Sequence, residues 1–191
     1  MGWEKLGSTS VGGSSDPVNN SWKELGRTTL GSAGDDITVS SFTAKDNLMI
    51  LCSTISTGNI DGALRFNTDT GSNYAIRRSE NGGSDATGTS QAKLILDRGH
   101  AAYPNNTFSV SNMNNISAQE KLVIGHSIAG VNGTGTAPDR TEMTGKWTNT
   151  SSQVTSVTCN NSDSGSWDTG SEVVVLGCDN DEADSGTNFW Q

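Results

Sequence analysis

Two histidines, three cysteines, one dense run of carboxylates and a few loop aromatics are the residues whose types could do chemistry. His100, in Asp97-Arg98-Gly99-His100, has the character of a general base, and His126 sits beside Gly125 inside an apolar run. Catalysis needs more than an imidazole: a nucleophile within reach of its base, or ligands converging on a metal. The chain holds no GxSxG, HExxH or P-loop. No catalytic residue, metal or cofactor is assigned, and the expectation is a protein that is not an enzyme.

Cys52, Cys159 and Cys178 are odd in number and lack CxxC spacing. They read as three thiols half-buried in strands, with a Cys159 to Cys178 disulfide as the alternative. The run Asp179-Asn180-Asp181-Glu182-Ala183-Asp184 gathers oxygen ligands of the kind calcium takes. It has neither the spacing nor the glycine of an EF-hand loop, so it reads as a solvated acidic tail. Sugar recognition is a further candidate chemistry. Trp167 and Tyr103 lie in loop contexts where a flat ring could stack on a pyranose, with Arg77 and Arg78 to satisfy hydroxyls. The competing reading makes Trp167 a plug at one end of a sandwich, just before the last strand.

The elements that must position these residues are strands. Gly (23), Ser plus Thr (48) and Asn (18) make up nearly half of the 191 residues, a mixture that disfavours helices. Apolar residues gather in short runs, such as Leu48 to Cys52 and Val173 to Leu176, too short for a membrane helix, and long coiled coils are excluded with them. Strand-like segments are expected at Asp36–Ser40, Asn47–Ser56, Gly62–Phe66, Tyr74–Arg77, Ala92–Leu96, Thr107–Val110, Lys121–Ile128, Thr141–Trp147, Val154–Cys159 and Ser171–Leu176. Glu80 to Thr89 reads as a long polar loop, and Ser117 to Glu120 as a turn feeding the next strand. Eight to ten short strands separated by turns spell an all-β chain, an antiparallel β-sandwich of jelly-roll-like form.

Net charge is −9, and Arg77-Arg78 is the only adjacent basic pair. A nucleic-acid groove needs clustered cations, so no nucleic-acid partner is expected, and no membrane. The amino terminus, Met1 to Leu6, has no apolar signal region and no myristoylation pattern, so export is not expected. Six Asn-x-Ser/Thr sequons (Asn19, Asn105, Asn115, Asn132, Asn149, Asn160) are read as a product of composition.

The front of the chain carries a repeat. Trp3-Glu4-Lys5-Leu6-Gly7-Ser8-Thr9-Ser10-Val11-Gly12 matches Trp22-Lys23-Glu24-Leu25-Gly26-Arg27-Thr28-Thr29-Leu30-Gly31 at an offset of 19. The copy at Trp22 opens the domain; the copy at Trp3 is a strand pattern without a domain of its own. The organisation expected is an arm and linker over 1–21, a sandwich over 22–178 and an acidic tail over 179–191. On this reading the arm adds a strand or an indole to a neighbour, with Trp3, Leu6, Val11, Phe189 and Trp190 as partner-binding residues.

From Trp22 to Leu176 the chain resembles jelly-roll virion structural proteins of tailed phages, marine ones especially. The residues that carry this are Trp22 to Leu30, Asn73-Tyr74-Ala75-Ile76-Arg77-Arg78-Ser79-Glu80-Asn81-Gly82-Gly83, Glu142 to Ser151, Val154 to Val157 and Gly170 to Gly177, spread over about four fifths of the chain. The resemblance implies a structural role, as capsid decoration or cement or as a tail appendage, in a virion assembled in the host cytoplasm. Partners would be major capsid or tail proteins and further copies of the chain, in a homo-oligomer such as a trimer. The alternative is a glycan- or receptor-binding module of a phage tail appendage, using Trp167, Tyr103, Arg77 and Arg78.

Overall fold

Strict alternation of buried and open positions along Asn47–Ser56 places Leu48, Ile50, Cys52 and Thr54 on one face and Met49, Leu51, Ser53 and Ile55 on the other. That two-residue period is what a pleated strand with one face on a core requires, and it recurs along the chain. The computed structural model describes residues 22–96, 105–130 and 133–180, in which there are twelve strands and no helix.

The strands are β1 Lys23–Thr29, β2 Asp36–Val39, β3 Asn47–Ser56, β4 Gly62–Phe66, β5 Tyr74–Glu80, β6 Ala86–Gln91, β7 Leu94–Ile95, β8 Asn105–Asn114, β9 Lys121–Gly130, β10 Asp139–Trp147, β11 Val157–Asn161 and β12 Glu172–Cys178. They form two antiparallel sheets, an eight-stranded one in the order β1-β12-β3-β8-β9-β10-β5-β6 and a four-stranded one in the order β2-β11-β4-β7. The fold is an all-β sandwich of two antiparallel sheets. Most expected strands are found. The segment read as a long polar loop is instead a tight turn followed by β6, whose Ala-Thr-Gly-Thr-Ser-Gln sequence is polar because it is an exposed edge. Asn81 and Gly82, both at positive φ, make that turn.

Between the sheets lie Ile37, Val39, Leu48, Ile50, Leu64, Phe66, Val157, Val173 and Val175, all nearly or fully buried. At one end Phe66, Tyr74 and Trp147 meet with ring centroids 6.0 to 6.4 Å apart. Asp69 ties this corner together. Its carboxylate accepts from the Trp147 indole at 2.7 Å, from the Gly71 amide at 2.8 Å and from Asn73, and its carbonyl accepts from the Tyr74 hydroxyl. Burial pushes the Asp69 carboxyl up, but these donors outweigh it and hold the group below the ordinary value.

Asparagines do the equivalent work in the loops. Asn115 is completely buried; its amide donates to the carbonyls of Lys45 and Val154 and accepts from the Val154 amide at 2.6 Å. Asn67, at positive φ, accepts from the Thr155 and Ser156 amides and donates to Gln153. The sequon asparagines Asn115 and Asn160 are thus inside the fold, hydrogen-bonded where a glycan would have no room. Cys52 and Cys159 are buried on facing sheets within hydrogen-bonding reach of each other. All three cysteines are free thiols, so the Cys159 to Cys178 pairing is not formed.

Two outcomes follow for stability. Asn115→Ala leaves two carbonyls and an amide unsatisfied in the interior and is expected to cost about 3 kcal/mol in urea unfolding. Asp69 titrates below its unfolded value of about 3.9, so its contribution is complete above that pH and fades as pH falls through the lowered folded value. The stability gap between the native chain and Asp69→Asn should therefore be constant between about pH 5 and 8 and close below about pH 4; a gap that widened in acid would contradict the assignment.

Candidate interaction surface

The four-stranded sheet covers only the inner face of the eight-stranded one, and on the outer face the side-chain sizes run opposite to expectation. Along β9 the inward residues are Lys121, Val123, Gly125, Ser127 and Ala129, while Leu122, Ile124, His126 and Ile128 point outward. Along β8, Ser109 and Ser111 are inward and buried, and Phe108 and Val110 point outward. The inner side is crowded at Gly125, where a Cβ would lie 2.8 Å from Ser111 Oγ and 3.0 Å from Met143 Cε. With a two-residue period, the larger residues have only the other face to occupy.

Strand register assembles them into rows. Val174, Leu51, Val110, His126 and Glu142 stand side by side from β12 to β10; the next row is Leu176, Met49, Asn112, Ile124, Thr144 and Arg77. Phe108 is directly opposite Ile128, and Leu122 lies beside Lys146. Phe108, Leu122, Ile124 and Ile128 are 50%, 56%, 59% and 51% exposed. Four half-open large apolar side chains on two adjacent strands present roughly 400 Å², within the range of the largest apolar patch on a monomer, which is often functional.

Charge fringes this area in pairs. On the β10–β5 side Arg140 meets Glu142, Lys146 meets Glu120 at 2.7 Å, and Arg77 meets Asp85 at 2.8 Å. On the β1–β12 side Arg27 binds Glu24 at 2.6 Å and Glu172 at 3.4 Å. The Arg27 guanidinium beside Glu24 holds that carboxyl below its ordinary range. Between patch and fringe runs a groove along β10, about 530 Å³ between Leu122, Ile124 and the β5–β6 hairpin, continuing into about 250 Å³ beside His126, Glu142 and Arg77. A third hollow, about 450 Å³, lies between Trp22, Asn112, Asn114, Leu122 and Ile124.

The residues singled out from sequence fall differently. Trp167 is 2% exposed and bridged through its backbone to Gly34 and Ser56. It is the plug of one end of the sandwich and offers no face for stacking on a sugar. Arg77 is exposed on the outer face, whereas Arg78 is turned inward, nearly buried and paired with Glu80 at 3.0 Å. Neighbours along a strand point to opposite faces, so the two do not form one basic patch. Trp3, Leu6, Val11, Tyr103, His100, Phe189 and Trp190 lie outside the described residues. Asp179 binds the Lys45 ammonium and the Asp46 amide, which hold its carboxyl below the usual range. Among the described residues no cluster of three His, Cys, Asp or Glu side chains could hold a metal ion.

No family model matches this chain, and no curated protein or solved structure matches it either. The outer face was not legible beforehand because Leu122, Ile124 and Ile128 look like core residues in the sequence. The one signal was their alternation with Val, Gly, Ser and Ala.

Replacing the plug tests its role. Trp167→Ala is expected to lower unfolding stability by about 3–5 kcal/mol, measured by chemical denaturation; an unchanged midpoint would show that the indole is not packed.

Proposed function

We propose that this chain is a virion structural protein, most specifically a capsid decoration or cement protein, that works by fitting against its neighbours. The carrying observation is the outer face of the large sheet, where Phe108, Leu122, Ile124 and Ile128 stand about half exposed within a fringe of paired charges. A surface of this kind is suited to burial against protein: apolar at its centre, polar and ion-paired at its rim. The reading requires no catalysis, cofactor, nucleic acid or membrane. Its partners are other virion proteins and copies of the chain.

The strand order supports the jelly-roll part of the reading. β1, β12, β3 and β8 face β2, β11, β4 and β7, and the chain alternates between the sheets from β1 to β4, from β7 to β8 and from β11 to β12. That is the eight-strand, two-sheet pattern of a jelly roll. On this view β5–β6 and β9–β10 are two hairpins inserted into it, and both extend the same sheet beyond β8. The insertions supply Leu122, Ile124 and Ile128, three of the four most exposed apolar residues, and most of the charged rim.

The repeat at Trp3, with Leu6 and Val11, and the terminal Phe189 and Trp190 are assigned to contacts with neighbours in the particle. The free edge of β1 carries Lys23, Glu24 and Arg27 and a bulge between Glu24 and Gly26, features that discourage strand addition there. At that edge, side-chain insertion is the mode of contact that suits the arm.

Antibody to this chain should decorate intact particles of the virus that encodes it, seen by electron microscopy, and a chain lacking residues 1–16 should no longer sediment with capsids. Absence of the chain from purified particles by mass spectrometry would overturn the assignment.

A further inference from the structure

We infer that the apolar outer face of β12, β3, β8 and β9 is covered by the same face of a second copy, in a two-fold, sheet-on-sheet pair. This rests on the reading above that the chain acts by assembly and names the partner that the face takes.

The first reason is extent. From β12 to β10 the sheet is five strands wide and each is at least seven residues long. At strand spacings of about 4.8 Å and a rise of about 3.4 Å per residue this makes a tile of roughly 600 Å² in projection. That is the order of the ~800 Å² each partner contributes to a standard stable interface. A small ligand would leave most of it uncovered.

The second reason is what could fill it. Beyond the four most exposed side chains, Met49, Leu51, Ile55, Val110, Val174 and Leu176 are part-exposed on the same face. The segment preceding β1, residues 1–21, contains only Met1, Trp3, Leu6, Val11, Pro17 and Val18 as large apolar residues, too few to match a face of ten. A second copy brings an equal number, in the same strand spacing, so that rows of Ile and Leu can interdigitate as they do between the sheets of a sandwich.

Charge gives the third. The chain carries −9 overall, a repulsion that any pairing of copies must overcome. The rim of this face carries four cations, Arg27, Arg77, Arg140 and Lys146, against five carboxylates, each in an ion pair. Of the described surface it is a place where two acidic copies can approach with little net repulsion. Mixed signs at the rim also suit a self-complementary contact, in which each patch meets its own image.

Sedimentation equilibrium of the full chain tests the pairing. The expected result is a concentration-dependent dimer near micromolar concentration that persists at about 1 M salt, because the contact is apolar rather than ionic. The double substitution Ile124→Asp with Ile128→Asp should weaken dimerisation by about 100-fold or more. Thermal unfolding of that variant should stay cooperative, since both side chains are outside the core, and Ser152→Asp, exposed in the loop before β11 and off the large sheet, should leave dimerisation unchanged. A chain monomeric at about 100 μM overturns the inference, whether it binds a hydrophobic dye through an open face or excludes it because its own residues cover the face. A dimer indifferent to the double substitution overturns it too, as does an odd-numbered oligomer. The pairing and the virion role fail separately: a monomer found on particles removes only the pairing, and a dimer absent from particles removes only the role.

Discussion

The crowding between β8, β9 and β10 on the inner side of the large sheet is the constraint from which the rest follows. Ser111, Gly125 and Met143 stand so close that a Cβ at Gly125 would lie 2.8 Å from Ser111 Oγ and 3.0 Å from Met143 Cε. A Cβ on Gly145 would come 2.7 Å from Leu94 Cδ2, so the small sheet also presses directly on β10. At Gly125 and Gly145 this leaves little room inward, while Lys121, Val123, Met113, Met143 and Trp147 fill the rest of the inner side. Because side chains alternate, the large residues of β8 and β9 are then committed to the outside, and no rotamer change can bring them in. The apolar outer face is therefore a consequence of how the sandwich closes.

Closure depends on buried polar anchors as well as on the apolar core between the sheets. Asn115 fastens the 154 region to the loop before β3; Asn67 fastens the turn after β4 to the segment leading into β11. Asn161 does the same for the loop after β11, accepting from the Asp61 and Asp163 amides. Asparagine serves here because one short side chain offers both a donor and an acceptor, so it can replace a missing ladder partner on each side of a loop. Lys121 follows the same logic, completely buried with its ammonium donating to the Gln119 and Asn149 carbonyls, and burial pushes its pKa down. Part of the chain's abundance of Asn is thus structural.

On the assembly role proposed above, function resides in surfaces. The large sheet continues past β8 through β9, β10, β5 and β6, and each added strand widens its outer face. The apolar centre lies where β8 and β9 meet, and the ion pairs of β10, β5 and β1 bound it on both sides. Exposed ion pairs of this kind add little to the stability of one chain. Their value is in making the rim polar, soluble and selective about what may approach.

Much of the architecture was legible in the residues themselves. Alternation in Leu48 to Thr54 and in Glu172 to Cys178, with Gly, Asn and Asp between runs, determined strands, turns and an all-β sandwich, because the two-residue period and turn preferences are local properties of the chain. β6 escaped because an edge strand needs no apolar face, and its only support is its pairing with β5. Trp167 left two readings open until Gly34 and Ser56 were found bridged to it. Which of two alternating faces turns inward is a different kind of question. Leu122, Ile124 and Ile128 alternate with Val123, Gly125 and Ser127 within the strand read over Lys121–Ile128, and that alternation leaves the inward set open. Only the approach of neighbouring strands and of the second sheet, a matter of distances between residues far apart in sequence, decided that the larger set faces out.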